Sequence, residues 1–273
     1  MRCTPKELAL KKRFETVYER SQASVMLSIE RSVCGCDYGG NSWTTQSEAD
    51  DLATRLELRS GLRVLDLGAG SGWPALYFAE KYDCEVVLVD LPEVGLRIAK
   101  ERAATDGLSQ IVATVVADAA DLPLPDNSFD AITHSDLLCC LERKRSVLDG
   151  CRRVIRPQGR MAFTVISITP GLSPEQLGRA IANAPEFVES DFDYPTLMAQ
   201  AGWVITDHED LTAAYADTCV RQIDADQDHE HELAALIGLD EFAERLAGWR
   251  KKLAAIRDGL FRREMFVASP NPG

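Results

Sequence analysis

Residues 64–74 read VLDLGAGSGWP, an apolar run that leads into a glycine-rich turn and then a proline. Glycine allows tight turns and close approach of a ligand to the backbone, because it has no Cβ atom. Pro74 is expected at the first position of the following helix, where its fixed φ and missing N–H are tolerated. The stretch therefore predicts a strand, a ligand-binding turn and a helix. Its spacing, G-x-G-x-G, differs from the dinucleotide-binding pattern G-x-G-x-x-G, since Trp73 stands in the last glycine's place.

Short apolar runs and helical segments alternate around this stretch. Strands are predicted at 63–67, 85–90, 111–117, 131–134 and 160–166, and helices at 74–81, 94–106 and 146–155. Continuous apolar runs separated by helices are typical of a parallel sheet that is buried on both faces. We therefore predict an α/β fold with a doubly wound sheet.

Further helical segments flank this core. They are predicted at 5–33 (ending near Gly35), 46–58, 171–187, 194–201 and 212–258, with additional strands at 203–206 and 260–268. The predicted units are an N-terminal helical cap or flap (1–60), a ligand-binding core (61–170), a helical insertion (171–202) and C-terminal strands with a helical cap insertion (203–273). We expect the helical segments outside the core to cover the active site.

Composition narrows the choice of partners. The 273 residues carry a net charge of -13, which would repel a phosphate backbone, so we do not expect a nucleic-acid substrate.

No run of eighteen apolar residues predicts a membrane span, and the polar residues 1–13 do not resemble a secretory signal; both observations favour the cytoplasm. The acidic run 224–232 contains two histidines but is typical of a solvated helix face, so we expect no metal. The oligomeric state is left open.

Two acidic residues follow later strands of the core. Asp90 ends the second strand, at the edge of the sheet where such folds bind ligands. Its carboxylate could accept hydrogen bonds from a ribose diol or could cap the next helix, and we favour the ribose. Asp118 follows the third strand and could accept a hydrogen bond from an adenine amino group, with the Ala119 amide facing the ring.

With these motifs in this order, the chain resembles the class I S-adenosylmethionine-dependent methyltransferases, in the group that includes the ubiquinone and menaquinone biosynthesis methyltransferases. The resemblance covers residues 63–166. It implies S-adenosyl-L-methionine as cofactor, a small-molecule acceptor and a final antiparallel strand at 260–268. The implied fold is a doubly wound, mostly parallel seven-stranded sheet with helical cap insertions.

By the same resemblance, the cofactor contacts fall at the strand ends and in the N-terminal flap. The implied contacts are Asp66, Gly68, Ala69, Gly70 and Gly72 for the methionine and ribose, Asp90 and Leu91 for the ribose and adenine face, Asp118 and Ala119 for the adenine edge, His134 and Ser135 beside the sulfonium, and Trp43, Thr44, Thr45 and Gln46 as a closing segment.

Methyl transfer from a sulfonium is an in-line displacement, so positioning contributes most and a base is needed only if the acceptor loses a proton. His134 is the first base candidate because imidazole titrates near neutrality, and Asp136 and Tyr38 come next. Two other classes stay open: a non-catalytic module that binds the cofactor, and a nicotinamide-dependent oxidoreductase.

Two cysteine pairs could serve either packing or chemistry. Cys34 and Cys36 lie in the expected flap, and Cys139 and Cys140 follow the fourth strand. They could line a thiol-rich pocket, as in arsenite methyltransferases, although those enzymes carry a cysteine nearer the strand end, where this chain has Asp136. Buried packing is the alternative that we favour.

Overall fold

The apolar part of residues 64–74 forms a buried strand in the middle of the sheet. The computed structural model describes residues 4–40 and 42–272. Residues 1–3, 41 and 273, which fall in the N-terminal and C-terminal units expected from sequence, lie outside the described residues.

Eleven helices and seven strands are found in the described ranges. The helices are α1 (Pro5–Ser21), α2 (Ser24–Cys34), α3 (Gln46–Arg55), α4 (Ala75–Tyr82), α5 (Glu93–Thr105), α6 (Lys144–Val154), α7 (Pro174–Asn183), α8 (Tyr194–Gln200), α9 (Thr212–Asp228), α10 (Glu230–Ile237) and α11 (Leu239–Arg257), with a short 3₁₀ helix, Leu138–Cys140. The strands are β1 (Arg63–Leu67), β2 (Glu85–Asp90), β3 (Val112–Val116), β4 (Phe129–Ser135), β5 (Ile155–Ile168), β6 (Trp203–Asp210) and β7 (Phe261–Pro270).

The strands form one sheet in the order β3-β2-β1-β4-β5-β7-β6. Strands β1 to β5 pair in parallel, whereas β7 runs antiparallel to both β5 and β6. The mostly parallel seven-stranded α/β sheet is therefore confirmed. The order reverses at β1, and its two sides lead to β2 and β4, so ligands are expected at this switch point.

Local sequence explains how the flanking helices begin. Thr4 and Thr45 cap α1 and α3 with their hydroxyls, and the glutamates three residues later, Glu7 and Glu48, complete the capping boxes. Gly35 ends α2 in the left-handed conformation, with φ of 80°. These caps fix the ends of α1, α2 and α3, the N-terminal helices that lead into the core.

Two of the predicted helical segments are confirmed but interrupted, and the expected place of Pro74 in α4 was wrong. The helix at 5–33 is two helices, because Ala23 adopts an extended conformation between α1 and α2. The helical region 212–258 is three helices, interrupted at His229 and at Gly238, whose φ is 88°. Pro74 precedes α4 rather than occupying its first turn, and the helix starts at Ala75.

Two strands extend beyond their expected bounds. β5 begins at Ile155 rather than at residue 160, because Ile155 pairs with Phe129 before the register shifts at a bulge. β6 continues to Asp210 along β7 as an edge strand. No helix of the described chain is both long and apolar enough to cross a bilayer.

Candidate active site

A cavity of about 720 Å³ opens at the carboxyl ends of the parallel strands. Its floor consists of residues at or just beyond the carboxyl ends of β1 to β4, and helices α1 and α11 cover it together with Trp43. The floor residues are Gly68, Ala69, Asp90, Leu91, Asp118, Ser135, Asp136 and Leu137, and the covering residues include Glu7, Lys11, Arg13, Phe14, Tyr18, Trp43, Arg245, Trp249, Lys251 and Lys252. This volume lies within the usual range of small-molecule sites.

The turn after β1 requires glycine at its first two glycine positions. Gly68 and Gly70 have φ values of 68° and 51°. A Cβ atom on Gly68 would lie 2.7 Å from Leu137 Cδ1, and one on Gly70 would lie 3.0 Å from the Tyr18 hydroxyl. Glycine is therefore required at both positions, because it tolerates the positive φ and because it has no Cβ atom to clash with the neighbouring side chains.

Asp90 is a buried carboxylate at the end of β2. Its Oδ2 accepts the Gly70 N–H at 2.7 Å and its Oδ1 accepts the Leu91 N–H at 2.8 Å. Burial raises the pKa of Asp90 to about 6, and these two hydrogen bonds act in the opposite direction, as does that from Tyr18. A carboxylate has about four acceptor positions, so Asp90 retains capacity for a ligand hydroxyl.

Asp66 and Asp90 lie in the same buried region. Burial, followed by the charge of Asp90, raises the pKa of Asp66 well above its usual range. Asp66 does not line the cavity, and its Oδ2 has no hydrogen-bond partner within the described chain. Gly70, Gly72 and Ala119 also lie outside the cavity lining, whereas the neighbouring Gly68, Ala69 and Asp118 belong to it.

Asp118 lies on the cavity wall beyond β3. Its Oδ1 accepts the Ala120 N–H at 2.8 Å, and its Oδ2 forms a close ion pair with Arg143. The side chain is thus held at the place where the sequence predicts an adenine contact, with Arg143 as a partner that the sequence analysis missed.

His134 and Tyr38 do not line the cavity. His134 is fully buried, its ring stacks on Phe163 at 4.4 Å, and burial lowers its pKa to about 3. Tyr38 packs on Trp73 under the Arg102 guanidinium, and burial raises its pKa to about 12. Both are poor base candidates in this geometry, against the expectation from sequence.

Asp136, the remaining base candidate, does line the cavity. It adopts a positive φ of 52° directly after β4, next to Ser135, whose Oγ is buried without a hydrogen-bond partner in the described chain. The Arg263 guanidinium holds the Asp136 carboxylate, with 3.0 Å between Nε and Oδ2. Asp136 is therefore the acid whose position best suits contact with a ligand near the end of β4.

The segment expected to close the site is split between two environments. Trp43 lines the cavity and packs edge-on against Trp249 at 5.4 Å, while the Thr44 carbonyl accepts the Trp73 Nε1–H at 2.8 Å. Thr45 caps α3, and Gln46 is exposed and does not line the cavity. Of these four residues, Trp43 alone contributes to the cavity wall.

Helices α1 and α11 supply residues that the sequence analysis missed. Tyr18 contacts Asp90 and the glycine turn, and Trp249 and Lys252 reach the cavity from α11. Phe14 and Tyr18 lie four residues apart in the helical segment predicted at 5–33; this spacing indicates a shared buried face but not the surface that the face contacts.

The cysteine pairs separate in the structure. Cys34, Cys36 and Cys139 are buried, and Cys140 lines the cavity. The acidic run 224–232 lies across the end of α9 and the start of α10. Within residues 4–40 and 42–272, no group of three or more His, Cys, Asp or Glu side chains is arranged to hold a metal ion.

Comparisons with known proteins place this geometry in a family. Residues 65–163 match the methyltransferase domain family Methyltransf_11. The chain is 25% identical over 221 residues to phosphoethanolamine N-methyltransferase 1 of Arabidopsis thaliana, covering 81% of this chain and 45% of that protein. It is 32% identical over 167 residues to 27-O-demethylrifamycin SV methyltransferase of Amycolatopsis mediterranei, covering 60% of this chain and 61% of that one.

A solved structure shares the fold. Phosphoethanolamine N-methyltransferase 2 of Haemonchus contortus, in complex with phosphomonomethylethanolamine and S-adenosylhomocysteine, superposes with a TM-score of 0.78 at 19% identity, covering 94% of this chain and 60% of that chain. The chain spans less than half the length of the phosphoethanolamine relatives that it matches. The family match also disfavours the nicotinamide alternative. The chain thus contains a class I S-adenosylmethionine-dependent methyltransferase domain.

Proposed function

We propose that this protein transfers the methyl group of S-adenosyl-L-methionine to an oxygen, nitrogen or carbon atom of a small molecule. The observation that carries the proposal is the cavity at the sheet's switch point, where the glycine turn, Asp90 and Asp118 come from three neighbouring strands. The relatives named above methylate small molecules, which supports the same class of acceptor here.

The residues present fit an adenosyl ligand. Asp90 would accept a ribose hydroxyl in an acceptor position not taken by the backbone, and Leu91 would pack on the adenine. Asp118 would receive the adenine amino group beside its Arg143 partner. Gly68 and Ala69 would let the methionine moiety approach the backbone. The Ser135 hydroxyl, which has no partner among the described residues, offers a hydrogen bond near it.

The bound cofactor supplies an electrophilic methyl group on sulfur. The protein's contribution is to orient the acceptor, exclude water and hold a carboxylate in the cavity near the end of β4. Asp136 is suited to this last role, because Arg263 fixes its orientation while it faces the cavity. It would hydrogen bond to an acceptor O–H or N–H and receive the proton if the acceptor loses one.

Calorimetric titration with S-adenosylhomocysteine tests the cofactor site. Asp90→Asn removes the negative charge while keeping the size of the side chain, so we expect affinity to fall about 10- to 100-fold through the loss of charge-assisted hydrogen bonds. Asp258→Asn changes an exposed carboxylate that pairs with Arg179 and should bind as the wild type does. Absence of binding by the wild type would refute the proposal.

Catalysis needs a separate measurement. The wild type, given labelled S-adenosylmethionine and a metabolite extract, should transfer label to a small acceptor, and Asp136→Asn should transfer it more slowly. Binding of S-adenosylhomocysteine without transfer to any metabolite would favour the non-catalytic module instead.

We also propose a cytoplasmic protein that does not act on nucleic acid. Its seven described cysteines are free thiols, which is typical of a reducing compartment. The net charge of -13 opposes binding to a phosphate backbone. The helical segments around the core, at 1–60, 171–202 and in 203–273, are proposed to act as the cap over the acceptor.

A further inference from the structure

Three cations line the cavity on its helical side, opposite the strand ends. Arg13 comes from α1, and Lys251 and Lys252 come from α11. Among residues 4–40 and 42–272, none of the three has a carboxylate within 4.0 Å, whereas the other two basic residues of the wall do: Lys11 pairs with Glu15 at 3.5 Å and Arg245 with Asp226 at 2.6 Å. In a chain with a net charge of -13, such a cluster is a local reversal of charge.

Lys252 is the least solvated of the three. Its Nζ donates one hydrogen bond, to the Asn183 backbone oxygen at 3.0 Å. Burial lowers its pKa, the positive charge of Arg13 acts in the same direction, and nearby cysteines act in the opposite one. An ammonium carries three donors, so two remain without a protein acceptor in the described chain. Arg13 is exposed and water screens its charge, whereas the half-buried Lys252 ammonium would be stabilised by an anion beside it.

The acidic residues of the cavity are already engaged. Asp90 accepts two backbone N–H groups, Asp118 pairs with Arg143, and Asp136 pairs with Arg263. Glu7 accepts the Thr4 N–H at 2.8 Å as part of the α1 capping box. None of these carboxylates forms an ion pair with the three cations, so an anion that enters the cavity would be the partner of Lys252.

An apolar surface adjoins the cations. Trp249 lies three residues before Lys252 on α11 and packs edge-on against Trp43, and Phe14 follows Arg13 on α1. Residues three or four apart on a helix share one face, which brings Trp249 and Lys252 to the cavity together. The wall therefore presents two cations beside an aromatic surface.

We propose that the methyl acceptor carries an anionic group, a carboxylate or a phosphate, that binds between Lys252 and Arg13, with its apolar part against Trp43 and Trp249. This inference rests on the proposed methyltransferase function and names the chemical class of its acceptor. The alternative occupant of the cations is the carboxylate of the cofactor's methionine moiety, and the two can be separated by experiment.

The test uses the full chain saturated with S-adenosylhomocysteine, titrated separately with inorganic phosphate and with acetate. Because Trp43 and Trp249 line the cavity, tryptophan fluorescence reports binding. We expect a saturable change, with affinity lowered about tenfold in Lys252→Met, which is the loss of one charge-assisted hydrogen bond. Lys252→Arg should retain binding, and Lys12→Met, which alters an exposed cation of α1 outside the cavity, should match the wild type.

Each outcome decides the matter. Tighter binding of phosphate assigns a phosphate to the acceptor, and tighter binding of acetate assigns a carboxylate. Absence of saturable binding, or an equal loss in Lys12→Met, overturns the inference. A tenfold loss of S-adenosylhomocysteine affinity in Lys252→Met, with a wild-type urea midpoint, also overturns it, because the cations would then hold the cofactor. Failure of the wild type to bind S-adenosylhomocysteine would instead reject the proposed function, and the anion titration could be repeated without it.

Discussion

Arg263 offers the clearest test of how the site is held in place. Its guanidinium is fully buried and pairs with Glu48 at 2.8 Å and with Asp136 at 3.0 Å. It also donates to the hydroxyls of Thr44 and Thr164. Arg263→Met keeps a long apolar side chain but leaves two carboxylates without their cation. Removing one partner of a buried ion pair costs about 3–5 kcal/mol, so we expect a loss of that size in the free energy of unfolding.

Urea denaturation followed by circular dichroism measures this loss. With a slope of about 3 kcal/mol per molar urea for a chain of this size, the midpoint should fall by about 1–2 M. Arg179→Met is the matched control, because Arg179 pairs with Asp258 and both side chains are about half exposed (50% and 49%). An exposed pair contributes about 0–1 kcal/mol, so the control should barely shift. Equal losses in the two variants, or a loss below about 1 kcal/mol for Arg263→Met, would refute the reasoning.

Two further predictions concern the turn and the buried histidine. Gly68→Ala should destabilise the fold by about 1–3 kcal/mol in the same urea assay and weaken S-adenosylhomocysteine binding, because its Cβ would meet Leu137. Gly171→Ala is the control: Gly171 has a φ of 79° but open space around it, so this variant should show the backbone strain alone and bind normally. The pKa of His134 is about 3 in the folded state, below the unfolded value near 6.5, so the unfolded state takes up the proton first. The free energy of unfolding should therefore decrease as the pH falls from about 6.5 toward 3, by roughly 5 kcal/mol in all. Urea midpoints against pH should show a flatter acid limb for His134→Phe and an unchanged one for the exposed His231→Phe; parallel curves for wild type and His134→Phe would contradict the assignment.

The parallel core was predictable because buried strands appear in the sequence as short apolar runs. β1 and β2 are covered on both faces, so their inner residues are mostly apolar and the runs stand out from the helices between them. The acid at the end of β2 was predictable for a related reason. A polar residue that ends such a run marks the edge of the sheet, and Asp90 does lie at the cavity.

The misplacement of His134 shows where this reasoning stops. Side chains alternate between the two faces of a strand, so adjacent residues at the end of β4 point in opposite directions. Ser135 faces the cavity, and His134 packs on Phe163 of β5. Two adjacent residues of a strand therefore differ in whether they contact a ligand. An apolar run without polar alternation does not show which of the two faces the cavity.

Ion-pair partners that lie far apart in the chain could not be predicted from the sequence either. Arg263 lies in β7 within the charged stretch FRREMF, yet its charge is neutralised by residues 127 and 215 positions away. The interruption of the last helical region at Gly238 was, by contrast, visible in the sequence as a glycine inside a helical pattern.

The two walls of the cavity differ in how their charges are held, and this difference bears on function. On the strand side, Asp136 is tied through Arg263 to Glu48 and Thr44, and the Thr44 carbonyl in turn holds Trp73. A network in which each member bonds several others resists reorientation, so the carboxylate is fixed before any ligand arrives. On the helix side, Lys252 has a single backbone acceptor among the described residues and a like-charged neighbour, so a bound anion would stabilise its position. This difference supports the acceptor proposed above, which would be recognised by its charge at the helices and aligned for reaction by the fixed groups at the sheet.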